Sequence, residues 1–344
     1  MRLVSGGMAA ILSLALAACG DGGSNPSPTP TPTPTPTGTP TPTPTPTAIA
    51  YTTSETALQY TTEDGVQRVA NTQSMAPAMG SVFAFTPEQS GYTYTLLNGT
   101  VNPSASETAI FTAASGKVCD VTPLCFGNAF AFQQVPASGG SYQLSRLLSG
   151  AGNPLIVLSF TSFGIFAESF LDATGGPRLH ADMRPFAYGV ASTGDQIPTT
   201  GTATFNGFVV GQATGNKPDT TGTSNIYRLT GTFQLVADYA AATATLKLTI
   251  AGDPTGCTTC SPDISATYNS TAGTIAAGVM SFTLPGGGSA KFFLAGGRHA
   301  DNTTTPATAA VAGTEVAGSF ALTAADPNEA AVTMVLAGAG GGLR

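Results

Sequence analysis

Four cysteines stand in two close pairs, Cys119 with Cys125 and Cys257 with Cys260, six and three residues apart. Thiolates at such spacing can hold a zinc ion, cycle between dithiol and disulfide, or staple a loop. Cys257-Thr258-Thr259-Cys260 has the form of a zinc half-site, and Cys119 with Cys125 could supply the other half. Redox cycling needs a lowered thiol pKa, and no helix N-terminus is apparent near Cys257 and Cys260. That pair falls in a loop between Asp253-Pro254 and Ser261-Pro262. An exported chain meets an oxidising compartment, where close pairs become disulfides. The expectation is two loop staples, Cys119–Cys125 and Cys257–Cys260, with no metal and no cofactor.

Other catalytic chemistry has little to draw on. His180 and His299 are the only histidines, and neither sits beside a nucleophile elbow that a Ser-His-Asp triad would use. His180 lies in Arg178-Leu179-His180-Ala181-Asp182, read as a polar connection. His299 lies in Gly297-Arg298-His299-Ala300-Asp301, inside a long loop, and both read as solvent-exposed loop histidines. Gly286-Gly287-Gly288-Ser289-Ala290-Lys291 lacks the spacing and the following helix of a phosphate loop, so it reads as a hairpin turn. The run Gly338–Gly342 reads as a flexible end. No nucleophile, base and orienting group come together, so the chain is not expected to be an enzyme.

The first residues speak to export. Arg2 precedes an apolar run from Met8 to Ala18, too short for a stable membrane helix but suited to a secretory h-region. It ends in Leu16-Ala17-Ala18-Cys19, which resembles a bacterial lipobox: small residues for a peptidase subsite, then a thiolate to take a diacylglycerol. In that lipoprotein class cleavage precedes the cysteine, and Cys19 becomes the acylated N-terminus. Two or three acyl chains anchor stably where one does so only marginally. Gly20, not Asp, follows Cys19, which points to the outer membrane. From Pro26 to Thr47 the chain is nearly pure Pro-Thr repeat. Proline cannot donate to a ladder and holds its neighbour extended, so this segment is a polyproline II stalk reaching roughly 70 Å at ~3.1 Å per residue.

The remainder must position whatever binds. Charged residues make up only 9% of the chain, against about 25% in ordinary soluble domains; Thr, Ser, Ala and Gly take their place. This composition suits strands and turns rather than charged surface helices. A net charge of -7 favours neither a phosphate backbone nor an anionic lipid surface, which sets nucleic acid aside. Short strands are expected at Val82–Phe85, Tyr92–Leu96, Ala109–Phe111, Ala129–Phe132 and Tyr142–Leu144. Leu155 to Phe170 reads as a strand, a bend at Gly164 and a second strand. Beyond Pro198 the pattern sharpens. Tyr227, Leu229, Phe233, Leu235 and Ala237 share one face of a strand, and Ala244, Leu246, Leu248 and Ile250 share a face of the next. Further strands at Ile264–Tyr268, Gly278–Leu284, Ala290–Ala295, Thr314–Leu322 and Ala331–Leu336, with Phe186–Gly189 leading in, bring the number to about eight. Eight antiparallel strands close into a barrel that side chains fill.

Phe186-Ala187-Tyr188-Gly189 and Pro198-Thr199-Thr200-Gly201-Thr202-Ala203-Thr204-Phe205-Asn206-Gly207 resemble the barrel entrance of transferrin-binding protein B. Lys291-Phe292-Phe293 and Glu315-Val316-Ala317-Gly318-Ser319-Phe320 are similar to that family's closing strands, with Leu294-Ala295-Gly296 in place of its usual Gly-Pro. The resemblance implies an all-β fold, an eight-stranded antiparallel β-barrel preceded by a β-rich handle domain. The expected division is a signal peptide (1–18), the lipidated Cys19 and stalk (19–47), a handle (48–184) and a barrel (185–344). It also implies a surface lipoprotein, acting as a monomer on a protein or small-nutrient ligand. Transferrin itself does not carry over, since true receptors have two lobes and this chain has one. Because relatives bind haem in loops, His180 or His299 could act as a haem ligand, although the exposed-loop reading is preferred. The loop Arg298–Gly313 is the expected ligand-facing segment. The competing expectation is a structural or protective envelope lipoprotein with no specific ligand.

Overall fold

Alternation of apolar and polar residues turns into strands throughout the computed structural model. The structure describes residues 51–63, 68–69, 74–77, 82–85, 91–95, 108–112, 116–118, 129–134, 141–147, 155–172, 178–215, 226–254, 264–296, 313–326, 330 and 332–344. Among them the only helical turns are single 3-10 turns at Gly194–Gln196 and Pro285–Gly287.

The first half supplies β1 (Thr52–Glu63), β2 (Arg68–Val69), β3 (Ser74–Pro77), β4 (Val82–Phe85), β5 (Gly91–Thr95) and β6 (Thr108–Thr112). It continues with β7 (Gly116–Val118), β8 (Ala129–Gln134), β9 (Ser141–Leu147), β10 (Thr161–Asp172) and β11 (Arg178–Gly189). The handle sheet runs β2-β1-β11-β10-β9-β8-β7, with β3 also on β1, while β4, β5 and β6 form a three-stranded sheet. Three readings change here. His180 is not in a connection but inside β11, its backbone paired with Thr61 and Phe170. Leu179, Ala181 and Met183 alternate with His180, Asp182 and Arg184, a strand pattern that its polar residues disguise. Gly164 does not bend β10; the strand passes through it, and the irregular part is Leu155–Phe160 before it. Phe186–Gly189 pairs with β1 and β10, so it ends the handle sheet, and residues 184 and 185 lie within one strand.

The second half supplies β12 (Thr202–Gly215), β13 (Ile226–Asp238), β14 (Thr243–Pro254), β15 (Ile264–Asn269) and β16 (Gly273–Ala276). Then come β17 (Val279–Leu284), β18 (Gly288–Ala295), β19 (Glu315–Ala325) and β20 (Thr333–Leu343). β13 pairs with both β12 and β14, and β20 with both β12 and β19, so the antiparallel ring closes. β15 and β16 both oppose β14, but the register slips by one residue between Lys247↔Asn269 and Ala244↔Gly273. They act as one bulged strand, which makes the barrel eight-stranded. Gly201, at φ +79°, adopts the left-handed conformation that starts β12, and its carbonyl accepts from the Tyr239 amide at 3.0 Å.

Inside the ring Phe205, Phe233, Phe282, Phe292 and Phe320 are buried with Leu246, Leu248 and Leu336. Phe292 lies 5.1 Å from Phe233 and 6.3 Å from Phe282, ring centre to ring centre. The lumen is a packed core.

The handle sheet covers one outer wall of this barrel. Leu58, Phe163, Ile165 and Met183 cluster with Val210, Phe293, Ala317, Ala337 and Ala339. This overturns the reading of Gly338–Gly342 as a flexible end, because β20 runs through it and is buried to Gly342. The small residues are there to make room on both sides. A Cβ at Gly338 would stand 2.5 Å from the Phe320 ring and 2.7 Å from the Val210 carbonyl, and one at Gly341 would stand 2.6 Å from Leu158 Cδ1. Gly338→Val is therefore expected to destabilise the chain by roughly 1–3 kcal/mol, as overpacking does. Urea unfolding monitored by circular dichroism reads this directly; an unchanged midpoint would mean that β20 is not packed as described.

Candidate functional site

With the lumen filled, chemistry or binding must sit at the handle–barrel junction, at the barrel ends or on the outer wall. The junction carries a cluster of polar contacts. Glu315 opens β19 at 2% exposure. Its Oε1 accepts from the Ser159 amide at 2.6 Å, and its Oε2 accepts at 2.9 Å from the Phe160 amide, the Thr161 amide and Thr161 Oγ1. The irregular Leu155–Phe160 segment thus delivers its amides to a barrel carboxylate. Ser54 of β1 adds a second fastening: its hydroxyl donates to the Lys291 carbonyl (2.8 Å), lies 2.8 Å from Ser319 Oγ and accepts from the Ser319 amide at 3.2 Å. Between the sheets Tyr60 is buried, which pushes its hydroxyl pKa up to about 12, while a Gln212 side-chain hydrogen bond pulls it the other way.

Burial pushes the Glu315 carboxyl above its ordinary range, and the four hydrogen bonds only partly oppose this. The folded pKa thus exceeds the unfolded one, so the folded chain binds more protons, and the group's contribution falls as pH rises through the folded pKa. Relative to Glu315→Gln, the wild type is expected to gain stability as pH drops from 7 towards the unfolded value of 4.5. Paired urea titrations across that range check the slope. An opposite slope would show that the hydrogen bonds outweigh desolvation.

On the handle's other face Arg184 is fully buried. Its Nη2 and Nε donate to Asp182 Oδ2 at 2.7 and 3.1 Å, and its Nη1 stands 3.5 Å from Glu55 Oε1. Gln59 Nε2 donates to the same Asp182 oxygen at 3.2 Å. The register explains the grouping: Gln59, Asp182 and Glu168 form one cross-strand row, and Arg184 lies two residues along on the same face. The guanidinium thus sits between two carboxylates, Asp182 and Glu55.

The residues singled out from sequence are not gathered into one place. Cys19, Cys119, Cys125, Cys257, Cys260 and His299 lie outside the described residues, as does nearly all of the loop Arg298–Gly313. β14 runs out to Pro254 at one barrel end, while Ala295 and Glu315, which flank the long loop, are at the other. The connection carrying Cys257 and Cys260 and the expected ligand-facing loop therefore spring from opposite ends. Gly286 and Gly287 do form the β17–β18 turn, within Pro285–Gly287. Among the described residues no three His, Cys, Asp or Glu side chains gather as a metal site.

The outer wall away from the handle holds a feature that sequence reading passed over. Asn206, Gln234, Lys247 and Asn269 form one in-register row across β12–β15, and Thr232, Thr249 and Thr267 form the next. Gln234 Nε2 donates to Asn206 Oδ1 at 3.3 Å, and Thr249 Oγ1 lies 3.5 Å from Thr267 Oγ1. Asn206, Thr232, Gln234, Lys247 and Thr249 rim a shallow depression of about 370 Å³ above Gly207 and Phe233. The signal in the sequence is the polar half of the alternation in β13 and β14.

The described residues thus form an all-β handle and barrel, the barrel closed and filled. No family model matches the sequence, and no curated protein matches it. A double mutant of the vaccine antigen transferrin binding protein B from Haemophilus parasuis Hp5 aligns with a TM-score of 0.34 and 12% identity, over 80% of this chain and 47% of that one. A single mutant of that antigen gives 0.32 and 10%, with coverages of 80% and 47%. Intact Ap-TbpB, with its N and C lobes, gives 0.35 and 10%, over 74% of this chain and 52% of that one. The chain spans about half the length of these proteins.

Proposed function

We propose that this chain is a handle-and-barrel lobe of an outer-membrane lipoprotein, anchored through Cys19 and carried on the Pro-Thr stalk, that captures a ligand at the cell surface without catalysing a reaction. The strands from β1 to β11 serve as the handle and those from β12 to β20 as the transferrin-binding protein B-like barrel, with the Cys119–Cys125 and Cys257–Cys260 staples holding loops. The observation that carries the reading is the packed lumen: apolar side chains fill the barrel, and a charge-poor polar wall and the end connections are the surfaces offered to a ligand. The ligand class is a protein or a small nutrient, and the chain acts as a monomer. The competing structural role draws on the outward residues of β14, where Thr243, Thr245 and Thr249 offer no aromatic or arginine anchor.

Metabolic labelling with an alkyne analogue of palmitate, followed by density separation of the membranes, tests the anchor. Label on the wild type in the outer-membrane fraction, absent from Cys19→Ala, is the expected result. An unlabelled wild type, or one confined to the inner membrane, contradicts the proposal.

A further inference from the structure

Building on the ligand-capture reading, we infer that the wall depression rimmed by Asn206, Gln234 and Lys247 is a binding site for a carboxylated saccharide, a hexuronate unit. Three properties of the site select that ligand.

The first is its donor and acceptor chemistry. Asn206, Gln234, Thr232 and Thr249 are exposed and present amides and hydroxyls, each able both to donate and to accept. That is the complement of a sugar ring, whose vicinal hydroxyls also do both. The second is charge. Lys247 is the only charged residue on the rim, and the ion pairs of Arg184 with Glu55 and with Asp182 do not involve it. The chain as a whole carries -7 and repels anions at long range. Screening over about 8 Å at physiological salt leaves the Lys247 ammonium to dominate within the depression. A carboxylate is thus favoured there, and a densely charged polyanion is not. The third is size. About 370 Å³ lies at the small end of ligand sites and suits one or two sugar rings rather than a folded partner. The rows continue outward to Asn269 and Thr267, so the same chemistry extends along the strand order for a neighbouring ring.

Contacts this exposed bind weakly, with a dissociation constant expected at about 0.1–1 mM. The test titrates the full-length protein in detergent with trigalacturonate, and with maltotriose as the uncharged trisaccharide, by isothermal calorimetry. The proposal expects saturable binding of trigalacturonate, at least tenfold weaker binding of maltotriose, and at least tenfold loss in Lys247→Gln. Lys291→Gln, which removes an exposed cation elsewhere on the wall, should bind as the wild type does. No saturation by about 10 mM trigalacturonate, equal affinity for both sugars, or equal loss in the two lysine variants overturns it. A negative titration with palmitate labelling still positive removes the saccharide alone; loss of the labelling removes the capture reading beneath it.

Discussion

Glu315→Ala is expected to lower the stability of the folded chain by about 3–5 kcal/mol, since buried donors left unsatisfied cost ~1–3 kcal/mol each. The amides of Ser159, Phe160 and Thr161 and the Thr161 hydroxyl all converge on this one carboxylate, and alanine leaves them without an acceptor. Relief of the buried charge returns part of the loss, which is why the figure stays well below a simple sum. Glu315→Gln keeps one acceptor oxygen and should lose about half as much. Because these donors belong to the handle and the carboxylate to the barrel, the damage should begin at the junction. Hydrogen exchange of the Ser159–Thr161 amides is expected to speed up in the alanine variant before global unfolding. Protected amides in that variant would mean that the handle is held by its apolar face alone.

Arg184→Ala should be comparably damaging, at about 3–5 kcal/mol, the usual loss on breaking a buried ion pair from one side. Asp182 has no exposed surface, and Arg184 sets two nitrogens on its Oδ2. Arg184→Lys should recover little, because an ammonium cannot reproduce the two-nitrogen contact. Removing both partners as Asp182→Leu with Arg184→Met should be milder than Arg184→Ala, since the buried Asp182 charge goes with its partner and only the Glu55 contact with the guanidinium is lost. A double-mutant cycle in urea reads this coupling. Additive losses would show that the pair is not the unit described.

The barrel was legible because its strands are half-buried. In β13 and β14 alternate residues meet core and water, so the period of two stands out, and strand limits read from sequence fall close to those found. Legibility failed where both faces of a strand are covered. β20 packs Leu336 and glycines against the lumen and Ala337, Ala339 and Gly341 against the handle, so the alternation disappears into small residues. β11 failed for the opposite reason: its far face buries Asp182 and Arg184, which look like surface residues until the pairing is seen. β1 went unread since Leu58 and Tyr60 are its only large apolar residues. Of the candidate site, the threonines and Lys247 were visible on the strand, but the neighbours brought beside them by β12, β13 and β15 depend on register. The Glu-x-x-Gly-x-Phe run beginning at Glu315 was noticed as a resemblance, and its physical content emerged only in three dimensions. Glu315 grips the handle, Gly318 leaves room for Phe292, and Phe320 fills the lumen.

The central functional claim is that the lobe meets the medium. Protease treatment of intact cells, followed by detection of the folded region with an antibody to the barrel, tests it most directly. Surface capture predicts that residues 48–344 are shaved from intact cells at the exposed stalk. Survival of the lobe until the outer membrane is breached would place it in the periplasm and contradict the account.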